Sequence, residues 1–364
     1  MFDRNRPYND LPPIPAAERL ETARTLKAAI PANRVLAELK AGGDLIPNQA
    51  VLLRAILLQE ARASSEIENV VTSNDALYRA LDQRPEAADP RTREVLRYGE
   101  ALWAGYRDLR EGRPIRPSLL IDLARRIKGA DTDVRPGEGC QVVNDRTGEV
   151  VYTPPAGRDR ILDMLNVLCG WLAAGDGVDP LIKMAAGHRQ FEAIHPFPDG
   201  NGRTGRVLNI LYLLQSGMLE MPVLYLSWYI VPSKSEYYER LRAVTEADAW
   251  EEWVLYMLRA IEETAVMTSA MLRSVRRAMD EAAEVARSGM RKGYSRDLLD
   301  LVFSQPYTRI GLVEAAGIAR RNTASEYLRE LERIGILAGT KVGRERLFFN
   351  PRLMEALTRK ADGA

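Results

Sequence analysis

The chain has 364 residues with 51 Lys and Arg against 50 Asp and Glu, a formal charge of +1. That balance excludes a globally polybasic nucleic-acid binder, and the length allows two or three domains that each bury a core. Two cysteines, Cys140 and Cys169, give neither a disulfide framework nor a metal-ligand spacing, and no apolar run approaches the roughly 18 residues that span a bilayer, so a soluble, cytoplasmic protein without a membrane partner is expected.

The first stretch, Tyr8 to Pro15, is proline-rich and is expected to run extended over the surface or along a neighbouring helix. Helical spacing begins near Ala16 and continues through Leu20, Ala23, Leu26 and Ile30. A second helical piece runs from Pro31 to Lys40 and ends at Gly42-Gly43. From Asn48 an apolar helix carrying Val51, Leu52, Ala55, Ile56 and Leu58 leads into Ala63-Ser64-Ser65-Glu66-Ile67-Glu68-Asn69, where the polarity changes abruptly. Ser64 and Glu68 are four apart and share a face, which taken alone is most simply a solvated last helical turn. Helical pattern returns with Leu77, Ala80 and Leu81, then Val95 to Tyr106, then Leu119 to Ile127. The stretch from Gly137 to Pro155 breaks that habit. Two short β-branched runs flank Asn144 to Gly148 and predict a hairpin. Ile161 to Ala174 is again an amphipathic helix.

Leu181 to Ile194 and Val207 to Leu214 then predict two buried helices, and between them lies His195-Pro196-Phe197-Pro198-Asp199-Gly200-Asn201-Gly202-Arg203-Thr204-Gly205-Arg206. Pro196 ends the first helix. Gly200 and Gly202 allow positive φ and close approach of a ligand to successive N–H groups, and the second helix points its positive end at that nest. Arg203 and Arg206 add guanidinium forks for phosphate oxygens. His195 supplies a base near neutrality, Asp199 the hard oxygen that a phosphate-bound Mg²⁺ takes, and Phe197 is expected to plug into the core. Two histidines seven apart, His188 and His195, are too far apart to share one metal ion, so His188 is expected to be a core residue.

This string matches the signature of the Fic family, His-Pro-Phe-x-Asp/Glu-Gly-Asn-Gly-Arg-x-x-Arg, at every specified position, and the chain resembles that family through about residue 287. The resemblance implies transfer of AMP from ATP to a Ser, Thr or Tyr hydroxyl of a target protein and of the enzyme itself. His195 would be the catalytic base and Asp199 the Mg²⁺ ligand. Gly200, Asn201, Gly202, Arg203, Thr204, Gly205 and Arg206 would form the ATP site, with Arg206 on the γ-phosphate. Tyr238, in the aromatic pair Tyr237-Tyr238, would border the adenine. Phosphorylating relatives with reversed nucleotide polarity carry Lys where this chain has Gly202.

Ser64, Glu68 and Asn69 satisfy the family's inhibitory motif, Ser/Thr-x-x-x-Glu-Gly/Asn. The resemblance implies that Glu68 pairs with Arg206 and leaves ATP misaligned; a further reading is that Glu68 also positions a water for removal of AMP from the modified target. The hairpin would be the family's flap, in which Gln141, Val142, Val143 and Asn144 dock the target backbone.

From Trp250 to about Arg287 a long helix is predicted, and Ser288 to Gly293 is the best linker in the chain. Beyond it, helices over Leu298–Phe303, Ile310–Ala316 and Asn322–Ile334 precede two strands, 335–339 and 346–349, around Lys341 to Arg344. That order resembles a winged helix, with Arg320 and Arg321 entering the recognition helix. From Tyr294 on it carries twelve Lys and Arg against nine Asp and Glu, a weak pull on DNA. DNA is one candidate partner for this domain. A protein contact, including a second copy of the chain, is the other. The expected fold is mainly α, a Fic helical core with a β-hairpin flap plus a C-terminal winged-helix-like α+β domain. Its parts are an N-terminal helical region with the inhibitory helix (1–110), a catalytic core (111–287) and the winged-helix-like domain (294–364). The alternative function is a DNA-binding regulator that uses the Fic core as a nucleotide sensor.

Overall fold

The computed structural model describes residues 2–43, 49–82, 88–137, 140–144, 147–342 and 345–358. Asn48, Glu138, Gly139, Asp145, Arg146, Gly343, Arg344 and 359–364, all within stretches read above, lie outside the described residues, as do the side chains of Val51, Leu52, Leu81 and Lys341.

The N-terminal segment is extended, as its prolines require, and lies against the hairpin and a core helix. Tyr8 N–H donates to the Thr153 carbonyl at 3.0 Å, and the Gln190 amide donates to the Pro12 carbonyl at 3.0 Å. A short α1 (Ala17–Leu20) precedes α2 (Ala23–Gly43), which runs unbroken through Pro31, so the two helical pieces expected there are one helix. A proline removes one helical hydrogen bond, and here packing outweighs that loss. α2 lies along a 40-residue helix near the end of the chain, α12 (Trp250–Gly289), and buries Ala29, Ala32, Leu36 and Leu39.

α3 (Gln49–Ile67) carries the apolar stripe into the Ser64–Asn69 segment, and α4 (Asn74–Asp82) follows it closely. α5 (Pro90–Arg110) starts where Asp89 accepts from the N–H groups of Arg91 and Thr92, and α6 (Pro117–Lys128) ends at the left-handed Gly129. The hairpin is small. β1 (Val142–Val143) and β2 (Val150–Tyr152) pair antiparallel with a bulge. α7 (Arg158–Ala173), α8 (Pro180–Ile194) and α9 (Asn201–Gln215) complete the core. α8 and α9 are buried on nearly every side, which makes them the pillars on which the polar loop between them stands. α10 (Ser227–Ile230) and α11 (Lys234–Ala247) flank that loop before α12 begins.

α12 continues to Gly289, so the stretch read as a linker starts inside a helix. The remaining chain forms α13 (Arg296–Val302), β3 (Tyr307–Thr308), α14 (Ile310–Ala315), α15 (Arg321–Arg333), β4 (Ala338–Val342), β5 (Glu345–Phe349) and α16 (Pro351–Thr358). Its sheet is antiparallel in the order β3-β5-β4. The first expected strand, 335–339, begins only at Ala338, because the N–H groups of Ile336 and Leu337 both fold back onto the Leu331 carbonyl. β3 and α16 are additions to the sequence reading. Among the described residues no helix is long and apolar enough to cross a membrane.

Candidate active site

The loop between α8 and α9 is held by its own side chains. Pro196 keeps His195 out of the right-handed helical region, and His195 ends α8 in the left-handed one, φ 48° and ψ 59°, with its N–H on the Phe191 carbonyl. Phe197 is fully buried beside Phe191, as its place in a polar loop predicts. Asn201 closes the loop with two bonds of 2.8 Å, accepting from Phe197 N–H and donating to the Phe197 carbonyl. The Thr204 hydroxyl donates to the Gly200 carbonyl at 2.9 Å. These two side chains, expected on the nucleotide, are thus engaged within the loop and shape it. Gly205 likewise faces α8, where a Cβ would meet Glu192, Phe191 and His188. Gly200 caps α9 at φ 82°, a conformation that favours glycine.

Arg206 is the best-buried charge of the site. Its Nε donates to Ser64 Oγ, and one terminal nitrogen donates to both the Ser64 carbonyl and Glu68 Oε1, each at 2.8 Å. The structure therefore brings together Ser64, Glu68 and Arg206 across 138 sequence positions. Burial alone would lower the pKa of this guanidinium. The Glu68 carboxylate, with Tyr237, Tyr238 and Tyr98 around it, outweighs burial and holds it above its ordinary value. The Glu68 carboxylate also lies against the Gly202 backbone, where an added Cβ would collide with it. An anion already sits at the positive end of α9. The other terminal nitrogen of Arg206 and the Nε of Arg203 are buried without a partner among the described residues, so the site keeps unused donors for oxygen ligands.

Asn69 explains the last position of the 64–69 motif. It takes φ 61°, and the turn it makes lets Val70 N–H reach the Ser65 carbonyl at 2.9 Å, closing α3 just after Glu68. Two turns upstream on the same helix, the sequence reading missed Glu60. It is buried and accepts from Tyr98 Oη at 3.0 Å, Ser227 N–H at 2.9 Å and Ser227 Oγ at 2.6 Å, tying α3 to α5 and α10. Burial pushes its carboxyl up to about 7, against the pull of those hydrogen bonds.

Asp199 stands exposed at the loop tip and accepts a hydrogen bond from Lys128 of α6. Arg203, almost fully buried, bonds Glu94 of α5 and lies 3.6 Å from Asp199. Burial opposes ionisation of Asp199, yet Lys128 and Arg203 hold its carboxyl below the ordinary value. Glu94 and Lys128 left no trace in the sequence pattern, since each is one more charge at a helix surface. Among the described residues no three His, Cys, Asp or Glu side chains converge as a metal site, so a cation here would need ligand oxygens beside Asp199.

The base candidate is held neutral. Burial first, then the Arg135 charge, lower the His195 imidazole to about 4, against a backbone hydrogen bond to Glu192 and the charges of Glu68 and Asp199. His188 is a core residue, its Nε2 2.7 Å from the Tyr237 hydroxyl and its ring stacked on Trp253. Burial pushes Glu192 up to about 8, with Arg206 opposing. Of the aromatic pair, Tyr237 is buried, while Tyr238 is 42% exposed. In the hairpin, Val143 is exposed on β1, the Gln141 amide lies 3.5 Å from Thr153 Oγ1, and Asn144 N–H donates to the Glu149 carbonyl at 2.9 Å. The Tyr152 hydroxyl on β2 donates to the Ala193 carbonyl at 2.8 Å, so hairpin and base share one helix end.

The chain matches the Fic/DOC family over residues 114–213 and the Fic/DOC family N-terminal region over 26–107, together half of its length. Residues 278–353 match the C-terminal domain described as protein adenylyltransferase SoFic-like, a match that begins inside α12. It is 31% identical over 134 residues to the protein adenylyltransferase fic-1 of Caenorhabditis briggsae, covering 35% of this chain and 24% of that one. It is 26% identical over 174 residues to the protein adenylyltransferase Fic of Nematostella vectensis, covering 47% of this chain and 38% of that one. The match thus spans less than two fifths of either relative. In fold, a Fic family protein from Desulfovibrio desulfuricans G20 superposes with a TM-score of 0.57 at 19% identity, over 93% of this chain and 98% of its own.

Proposed function

This chain belongs to the Fic/DOC family, and from that membership and the geometry above we propose that it is a protein adenylyltransferase moving AMP from ATP to a hydroxyl of a target protein. The observation that carries the reading is the signature loop itself. A neutral imidazole, an anion-ready helix N-terminus and two buried arginines with unused donors lie within a dozen residues. His195 accepts the proton of the attacking hydroxyl, the hydroxyl oxygen bonds the α-phosphorus, and pyrophosphate leaves. The N–H groups at the start of α9, with Arg203 and Arg206, hold the phosphates, and the Tyr238 face borders the adenine. Asp199 would hold a Mg²⁺ carried in on the phosphates, which would neutralise their charge, and Lys128 would have to release that carboxylate for it. The open side of β1 offers backbone groups to an extended target segment, so Gln141 to Asn144 register the acceptor with little demand on its side chains.

The second part of the proposal is that this state is self-inhibited. Glu68 lies between Arg206 and the Gly202 backbone, where the terminal phosphate of a productive nucleotide needs both. Glu68 also faces His195 electrostatically, which suits a water-holding role in AMP removal. The C-terminal module, in the order α13-β3-α14-α15-β4-β5, is that of a winged helix, and its exposed Arg320, Arg321 and Arg329 keep DNA in view as a partner. The regulator alternative, a nucleotide sensor without chemistry, has no use for a base, and the retained His195 favours transfer. The deciding experiment is incubation with α-labelled and γ-labelled ATP in Mg²⁺ followed by mass spectrometry. Transfer requires the α label on protein and the γ label lost, and a Glu68→Gly variant left unlabelled with nucleotide bound would favour the sensor.

A further inference from the structure

We propose that Arg135 is the positioning residue of the base, fixing the orientation of His195 and its distance from the target-docking hairpin. This rests on the transfer reading above. Arg135 lies in the loop between α6 and β1 and is only 5% exposed. Its Nε donates to the His195 carbonyl at 2.6 Å, and one terminal nitrogen donates to the Ile194 carbonyl at 3.1 Å and to the Pro155 carbonyl at 2.6 Å. Its own N–H donates to the Pro196 carbonyl at 3.0 Å. One planar fork therefore takes up carbonyls that the end of α8 leaves without helical partners, and a cation at that end complements the helix dipole.

Two consequences follow for His195. A non-glycine residue at φ 48° persists only where its surroundings fix it, and the bonds to Ile194, His195 and Pro196 bracket that backbone on both sides. The direction of its Cα–Cβ bond, and with it the imidazole, is set by Arg135. Pro155 follows β2 by three residues, so the same guanidinium ties the base to the foot of the hairpin that would present the acceptor. Neither the Lys128 cluster nor Arg206 makes such a link.

The charge of Arg135 acts alongside its geometry. The groups facing His195 are Arg135 from the α6–β1 loop, the Glu192 backbone from α8, Glu68 beyond α3 and Asp199 from the signature loop. Of these only Arg135 disfavours the imidazolium, and it works with burial to keep the base in its proton-accepting form. A bystander that merely filled space would leave both orientation and titration unchanged.

The test compares the full chain with its R135Q and R135K variants. The chain has only two histidines, and His188 is buried against Tyr237, so the imidazole NMR signals are assignable by replacing His195 alone. In the nucleotide-free protein, R135Q is expected to raise the His195 midpoint by about one pH unit, the size of a nearby-charge effect, while R135K stays close to the parent. In the transfer assay, run in the Glu68→Gly background, kcat is expected to fall at least tenfold with R135Q, with its acid limb moved toward neutrality and KM for ATP unchanged, because the phosphate contacts come from α9. R135K, which keeps charge and some of the bonds, should recover part of kcat. An unmoved midpoint in a folded R135Q, or a loss in kcat matched by an equal change in KM for ATP, would overturn the assignment. The titration is read without ATP, so a Glu68→Gly chain that transfers no AMP would sink the transfer reading while leaving the Arg135–His195 coupling answered.

Discussion

The protonation states of the side chains proposed for catalysis are set by their neighbours, and that gives residue-level predictions. His195→Ala should lower transfer by roughly 10² to 10⁴ while leaving nucleotide affinity nearly intact, as general-base loss does. Isothermal titration with ATP beside a transfer assay checks it, and undiminished turnover would remove His195 from the mechanism. With the imidazole held at about 4 by burial and Arg135, transfer in the parent chain should be flat between pH 6 and 8 on the base side. The same depression bears on stability. His195 and His188 sit at about 4 and about 3 against an ordinary 6.5, so between 6.5 and those values the unfolded chain binds protons that the folded chain does not. Stability from these groups is complete above about 6.5 and falls as the pH drops toward 4, which urea melts at pH 7.5 and pH 5 would reveal. At this scale the sequence showed the signature loop because its chemistry is contiguous. It hid Arg135, Glu94 and Lys128, since an arginine in a loop or a charge on a helix has no periodic mark and gains meaning only from what the fold sets beside it.

At the scale of elements, the proposed inhibitory pair joins the residue after α3 to α9, and its removal has two opposed effects. Glu68→Gly leaves Arg206 buried beside Ser64 alone, and breaking a buried pair typically costs about 3–5 kcal/mol. Because Glu68 is itself partly exposed, the lower end is expected, seen as a reduced Tm. ATP should restore that Tm more strongly than in the parent, since phosphate replaces the missing carboxylate, and transfer should rise. Arg206→Ala should erase the gain, so the double variant is no faster than Arg206→Ala alone. Equal or lower transfer by a folded Glu68→Gly would return the 64–69 segment to an ordinary helix end. Asn69 provides a gentler probe: Asn69→Gly keeps the left-handed turn, whereas Asn69→Val strains it and should loosen Glu68. The motif was legible as spacing, but Glu60 was not, because a glutamate inside an apolar stripe shows its purpose only once Tyr98 and Ser227 arrive from other helices. α2 teaches the converse, since Pro31 marks a break locally and the long contact with α12 overrides it.

Across the whole molecule, the C-terminal module is joined to α3, the helix proposed to inhibit, by a short relay. α4 follows α3 directly and is bonded to it by Gln59, whose amide donates to the Tyr78 hydroxyl at 3.0 Å and lies 3.5 Å from Asn74 Oδ1. On its other side α4 meets β3. The Tyr307 hydroxyl donates to Asp75, and Arg79 lies over the Tyr307 ring at 5.8 Å. None of this was visible beforehand, because β3 is two residues long and its partner stretch is 232 positions away. Tyr307→Phe removes the hydroxyl and keeps the ring, so it should cost about 1 kcal/mol and leave both domains folded. If the module steadies the inhibitory helix, the looser α4 should raise basal transfer, by less than Glu68→Gly does. The relay works only through Glu68, so adding Tyr307→Phe to Glu68→Gly should give no further increase. Transfer by Tyr307→Phe at the parent rate, with the expected small loss in Tm, would make the α4–β3 contact simple domain packing, and an increase that adds to that of Glu68→Gly would place its effect elsewhere than on the inhibitory pair.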